Sequence, residues 1–271
     1  MDSVHTVEVH RRRIAFRQSG SGRPLVLLHG GLGDSRDWRP QLDDLASDFT
    51  VVAWDAPGCG QSFDPPETWT MPDYADCLAG FIRALDQNRP HMLGLSWGGG
   101  LAIQLFARHP ALSRSLVLAS AYAGWAGSLP PEEVQARLSR GLREAALPPE
   151  QFVQGYLDSL LNESASPELI EEALTIMRDV RPAGMAPMLR AFAQCDLRRV
   201  LPTIDVPVLL LYGDCDVRAP RSVADALHRQ IPGSRLVMMT GLGHVTNIEA
   251  PERFNAEVRT FLRGVESGFV D

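Results

Sequence analysis

The apolar residues of this chain fall into two rhythms. One is the short continuous run: Pro24-Leu25-Val26-Leu27-Leu28, Thr50-Val51-Val52-Ala53-Trp54, His91 to Leu95, Ser115-Leu116-Val117-Leu118-Ala119, Val206 to Leu211 and Ser234 to Met239. Runs of this length without polar alternation suit strands buried on both faces of a parallel sheet. The other rhythm is helical and falls between the runs, at Trp38 to Ala46, Asp73 to Leu85, Leu101 to Ala107 and Pro251 to Leu262. Near the N-terminus the pattern alternates instead. Thr6 to His10 and Arg13 to Arg17 predict a hairpin joined around His10-Arg11-Arg12, with Ser19-Gly20-Ser21-Gly22 as a turn beyond it.

Strands alternating with helices predict an α/β fold with a doubly wound, mostly parallel sheet. One region breaks the rhythm. From about Gly124 to Leu197 the pattern is helical without a convincing strand, and Pro130-Pro131, Pro148-Pro149, Pro167 and Pro182 punctuate it. The sheet pattern resumes on the far side. The stretch therefore reads as a helical cap, residues 124–197, inserted into a core of residues 1–123 and 198–271. A second independent domain would not be followed by more of the same sheet.

Composition narrows the function by exclusion. The chain has 271 residues, 45% hydrophobic and 22% charged, which allows one large globular domain with an insertion. Its formal charge of 26 − 33 = −7 argues against a nucleic-acid partner, and weakly against an anionic membrane surface. No apolar run approaches the roughly 18 residues that span a bilayer. The start, Met1-Asp2-Ser3-Val4-His5, lacks the basic-then-apolar pattern of a signal peptide. Cys59, Cys77, Cys195 and Cys215 form neither a C-x-x-C pair nor a metal-like cluster with histidine. They read as free thiols, which suits a cytoplasmic protein without a metal. The oligomeric state stays open.

The chemistry is concentrated in Gly94-Leu95-Ser96-Trp97-Gly98-Gly99. A run of strand character precedes it and a helical segment follows. Glycines two before and two after the serine allow a sharp strand-to-helix turn, which lifts the serine oxygen clear of the backbone. The plainer alternative is a tight turn in which Ser96 caps the helix. As a nucleophile, Ser96 needs a base within reach and an acid to orient that base. His244 follows the last strand on the loop Gly241-Leu242-Gly243-His244, at the carboxyl edge of the sheet, where functional groups of such folds collect. His29 also stands at a strand end, but His29-Gly30-Gly31-Leu32-Gly33 suits a loop of exposed amides. His5, His10, His91, His109 and His228 read as surface or helix-end residues. The acid is expected from Gly213-Asp214-Cys215-Asp216. Asp216 is preferred because it lies deeper in the loop, with Asp214 as a turn residue. Backbone amides of Trp97 and Gly31, or Leu32 in place of Gly31, would receive a developing oxyanion.

Together these segments resemble the α/β-hydrolase fold superfamily over nearly the whole chain. The resemblance is carried by His29-Gly30-Gly31, Asp55-Ala56-Pro57-Gly58-Cys59-Gly60-Gln61-Ser62, the Ser96 string, Gly213 to Asp216 and Gly243-His244. The order Ser96, Asp216, His244 is that of the family's triads. The stretch Asp55 to Ser62 is similar to the family's tight turn after the fourth strand and is given a structural role. The resemblance implies a cofactor-free serine hydrolase acting on a small-molecule ester or lactone. Carbon–carbon bond hydrolysis with the same triad and a weakly catalytic ligand-binding protein are the alternatives. A serine at the elbow argues against the haloalkane dehalogenases and epoxide hydrolases of this fold, which use aspartate there. Leu32, Trp38, Trp97, Val217 and Val245 near the triad, with Tyr122, Trp125, Met185 and Met188 from the cap region, suggest an apolar pocket. Arg181 and Arg190 are candidate partners for a substrate carboxylate.

Overall fold

The computed structural model describes residues 3–163 and 165–268. Eight strands form one sheet: β1 (His5–Val9), β2 (Arg12–Ser19), β3 (Arg23–Leu28), β4 (Phe49–Trp54), β5 (His91–Leu95), β6 (Ser115–Ala119), β7 (Val208–Gly213) and β8 (Arg235–Met239). Their order across the sheet is β1-β2-β4-β3-β5-β6-β7-β8. The two pairings that involve β2 are antiparallel and all others are parallel. This is the doubly wound, mostly parallel sheet that the uninterrupted apolar runs predict. The first hairpin turns at His10 and Arg11, both with positive φ (49° and 62°), the geometry of a tight two-residue turn.

Successive side chains of a strand point to opposite faces, so each apolar run feeds two cores at once. Leu25 and Leu27 of β3, Val51 and Ala53 of β4, and Leu209 and Leu211 of β7 go to one side. Val26 and Leu28, Val52 and Trp54, and Leu210 and Tyr212 go to the other. The first side is covered by α1 (Arg39–Asp44) and by residues of the C-terminal helix, the second by α2 (Met71–Ala84) and α3 (Trp97–Arg108). Pro72 in the first turn of α2 costs no hydrogen bond, and the Thr70 and Asp73 side chains cap the helix reciprocally.

Between β6 and β7 the regular elements of the described residues are helices only: α4 (Trp125–Ser128), α5 (Pro131–Glu144), α6 (Val153–Leu160), α7 (Pro167–Met177) and α8 (Pro182–Ala193), with one 3-10 turn between α5 and α6 and another after α8. Of the prolines that punctuate this stretch, Pro131, Pro167 and Pro182 start α5, α7 and α8, where a missing N–H is tolerated, and Pro149 starts a 3-10 turn. Phe152, Tyr156, Leu157, Leu174, Met177 and Met185 make a small separate core among these helices. The chain ends with α9 (Arg221–Gln230), α10 (Thr246–Glu249) and α11 (Pro251–Ser267). No helix among the described residues is long and apolar enough to cross a membrane.

Two expectations are corrected. Trp38 is fully buried, with its ring 6.4 Å from that of Phe254 beneath α11, and takes no part in the pocket. His91 is not at the surface. It is buried at the start of β5, where Nδ1 meets Ser115 Oγ at 2.7 Å and Nε2 meets Glu266 Oε1 at 3.1 Å.

Candidate active site

Ser96 lies between the end of β5 and the first residue of α3, with φ 53° and ψ −111°. A positive φ on a non-glycine residue is strained, and here the neighbouring glycines make it fit. A Cβ on Gly98 would strike the carbonyl oxygens of Leu28 and His29, and one on Gly94 would strike the carbonyl oxygen of Gly98. These are backbone atoms, which cannot move aside. The strand and helix can therefore meet this closely only with glycine at both positions. The carbonyl of Ser96 accepts from the N–H of Gly99 at 3.0 Å and of Gly100 at 3.2 Å. The Trp97 N–H heads the first turn, where no intrahelical partner exists. The Trp97 indole turns into the core, edge-on to Tyr74 at 5.2 Å.

The loop after β7 carries the buried Asp216. Its Oδ1 accepts from the backbone N–H of Arg218 at 2.8 Å and of Ala219 at 2.9 Å. Its Oδ2 lies 2.8 Å from Nδ1 of His244. Burial alone would raise this carboxyl, but His244 and the two amides outweigh it and hold the group below its ordinary range. Asp214 points elsewhere, with Oδ1 accepting from the Gly241 N–H at 2.7 Å. The backbone around His244 is tied on both sides. Its own N–H reaches Leu160 O at 2.9 Å, and Glu249 accepts from the N–H of Gly243 at 3.0 Å.

His29 holds the neighbouring loop. It is fully buried, donates from Nδ1 to Gly30 O at 2.7 Å and accepts at Nε2 from Ala56 N–H at 3.0 Å. Burial lowers its proton affinity, although the Gly30 carbonyl and the nearby Asp55 and Asp34 work the other way. Asp55 adds two more ties, accepting from Ser35 N–H and from Gln61 N–H, each at 2.9 Å. The loop bearing Gly31 and Leu32 is thus locked to the Asp55–Ser62 turn. Leu32 is held at φ 78°.

A cavity of about 300 Å³ opens over these groups. Ser96, Trp97, His244, Gly31, Leu32, Val217 and Val245 line it from the sheet side, and Trp125, Tyr156, Met185 and Met188 from the helices. Tyr122, which follows β6, lines it as well. Ser96 and His244 face this one space without a direct hydrogen bond between them. Val217 is 71% exposed and forms an edge of the opening rather than an enclosed wall.

Several lining residues are not foreseen from the sequence, Tyr156, Arg137, Arg140, Asp37 and Arg218 among them. Asp37 carries a carboxyl that burial, reinforced by the charge of Asp34, raises well above the usual range. Arg218 stands two residues after Asp216. Its position beside the acid was visible in the sequence, but the direction of its side chain was not. Arg181 lines the cavity yet is engaged by Asp64 at 2.8 Å, Ser62 O at 2.8 Å and Gly60 O. Arg190 does not line it. Among the described residues no group of three or more histidines, cysteines or acids is arranged to hold a metal.

The profile of the Alpha/beta hydrolase family matches residues 25–257. The chain belongs to that family. It is 30% identical to an uncharacterized protein of Mycobacterium tuberculosis, over 97% of this chain and 82% of the relative. It is 29% identical to a Yersinia enterocolitica protein named as a carbamate hydrolase, over 91% of each. A solved thermophilic esterase from Thermogutta terrifontis superposes with a TM-score of 0.89 at 28% identity, covering 97% of this chain and 99% of that one. This α/β hydrolase therefore shares its architecture over nearly its whole length, and not the elbow alone, with a solved esterase.

Proposed function

We propose that this hydrolase is a serine enzyme that cleaves a small ester or lactone through an acyl-enzyme on Ser96. One observation carries the reading. Ser96, on its strained backbone turn, and His244, held from behind by the buried Asp216, line the same cavity. Ser96 Oγ attacks the substrate carbonyl while His244 takes its proton. Asp216 stays ionised, fixes the imidazole tautomer and stabilises the imidazolium. The N–H groups of Trp97 and Gly31 receive the oxyanion. A single such donor is worth about 2.7–4 kcal/mol in the transition state. His244 then protonates the leaving alcohol, and water repeats the sequence to free the acid. Residues 124–197 act as a cap, whose Trp125, Met185 and Met188 give the acyl group an apolar wall. A volume of about 300 Å³ favours a small substrate. A carbamate, the class that names the Yersinia relative, presents the same carbonyl chemistry.

The test is hydrolysis of p-nitrophenyl esters from acetate to decanoate by wild type and Ser96→Ala. Activity should peak at one chain length, and kcat should fall about 10⁶-fold in the variant, the scale seen when a triad serine is removed. Ester hydrolysis that survives the substitution would overturn the proposal.

A further inference from the structure

Four arginines line the cavity: Arg137, Arg140, Arg181 and Arg218. Three of them are neutralised by a carboxylate. Arg137 meets Glu133 at 2.5 Å, Arg140 meets Glu144 at 2.7 Å and Arg181 meets Asp64 at 2.8 Å. Arg218 forms no ion pair among the described residues. The carboxyls that share the cavity wall do not serve it either. Asp34 and Asp179 both pair with Arg36, and Asp37 is disposed towards its neutral form.

The contacts of Arg218 position the charge without cancelling it. Nη1 donates to Ser159 Oγ at 3.0 Å, and that hydroxyl donates onward to Tyr156 O at 2.7 Å. The guanidinium lies over the Tyr156 ring, 5.3 Å from its centroid. The backbone at its root is fixed too, because the Arg218 N–H binds Asp216 and its carbonyl accepts from Tyr122 Oη and Arg137 Nη2. Asp216, the nearest acid in sequence, is already committed to His244 and two amides. Burial works against the Arg218 charge, and the nearby Arg137 adds to that, while Tyr122, Tyr156 and Asp216 oppose it. A half-buried cation with no carboxylate in ion-pair contact is costly to hold. An anionic ligand that enters the cavity would remove that cost.

We propose that Arg218 is the anchor for a carboxylate carried by the substrate. The inference rests on the hydrolase reading for the identity of the reacting bond, which would be an ester or lactone of a molecule bearing a free carboxylate. One uncompensated guanidinium matches one negative charge, and its planar fork suits the two oxygens of a carboxylate. A phosphate dianion would bring a second charge that no free cation of the cavity meets. Arg218 is thus a specificity-determining residue. It selects an anionic substrate over its neutral isostere.

The first measurement is binding by titration calorimetry, which requires no turnover. Hexanoate should bind wild-type protein at least about tenfold more tightly than neutral hexanamide, the scale of a hydrogen bond to a charged group. That preference should vanish in Arg218→Met and survive in part in Arg218→Lys. Equal affinity for the two ligands, no detectable hexanoate binding at millimolar concentration, or a preference unchanged in Arg218→Met would each overturn the proposal. Methyl phosphate competing as strongly as hexanoate would overturn the choice of carboxylate. The second measurement compares kcat/KM for p-nitrophenyl hydrogen suberate with that for its neutral methyl ester. Wild type should favour the acid about tenfold or more, and Arg218→Met should lose the preference. Hydrolysis of both without preference would sink the anchor and leave the serine hydrolase standing. A hexanoate preference without any ester hydrolysis would do the reverse.

Discussion

Asp216 Oδ2 and His244 Nδ1 meet at 2.8 Å in a buried pair, while the other carboxylate oxygen is filled by the amides of Arg218 and Ala219. Both oxygens thus accept from N–H donors. Asparagine has nearly the same shape but only one acceptor oxygen. In Asp216→Asn, one orientation aims an amide N–H at His244 and the other aims it at two backbone N–H groups. The first drives the imidazole to the wrong tautomer, the second keeps the Nδ1–H bond but opposes the amide to two N–H donors, and both remove the negative charge that stabilises the imidazolium. We expect kcat to fall about 10⁴-fold, the effect of this change in a well-studied triad. A melting curve taken alongside separates lost chemistry from lost fold. The carboxyl is held below its ordinary value, so its ionised form is present at neutral pH and persists to lower pH than that of a free aspartate. A fall of less than tenfold would remove Asp216 from the site and return attention to Asp214.

The elbow gives a prediction about packing. In Gly98→Ala the new methyl strikes the carbonyl oxygens of Leu28 and His29, so β3 and α3 must separate. Overpacking of this kind costs about 1–3 kcal/mol, and the Ser96 turn would shift with it. Both stability and activity should fall. Gly31→Ala is the contrast, because its methyl would meet only Met188 Sδ at 3.9 Å. Its melting temperature should stay close to wild type. Denaturant melts of the two variants check the pair of claims, and equal stability would mean that the turn has slack the geometry does not show.

These contrasts also mark what could be read from the chain alone. Local chemistry is legible. The uninterrupted apolar runs are strands because both of their faces are covered, and the glycines around Ser96 record a close backbone approach. Which partner a side chain finds is not legible. Trp38 stands near the loop of Gly31 in sequence, yet it turns under α11 to meet Phe254. Arg181 looks available for a substrate until Asp64, 117 residues away, is seen to hold it. Arg218 is the opposite case. Only the placement of Glu133, Glu144 and Asp64 on its neighbours reveals that, of the cavity's four arginines, it has no acid partner among the described residues. Each of these outcomes depends on contacts distant in sequence, which periodicity and motif do not encode.

His91 yields a prediction of the same long-range kind. It is fully buried at the start of β5, between Ser115 and Glu266, with Phe49 edge-on at 6.1 Å. Burial lowers its pKa from 6.5 to about 4. Glu266 pulls upward, while Arg114 and Arg23, which also meet Glu266, push down. Between these two values the unfolded chain binds a proton that the native protein refuses. Stability from this site is therefore complete above pH 6.5 and falls as the pH drops towards 4. A shift of this size corresponds to about 3 kcal/mol. His29, also lowered by burial, adds a slope of the same sign. Urea unfolding of wild type at pH 7, 5.5 and 4 should show the loss, and His91→Gln should lose less stability over the same interval. Gln keeps an amide donor for Glu266 but has nothing to titrate, so an unchanged slope in the variant would show that His91 is not the group responsible.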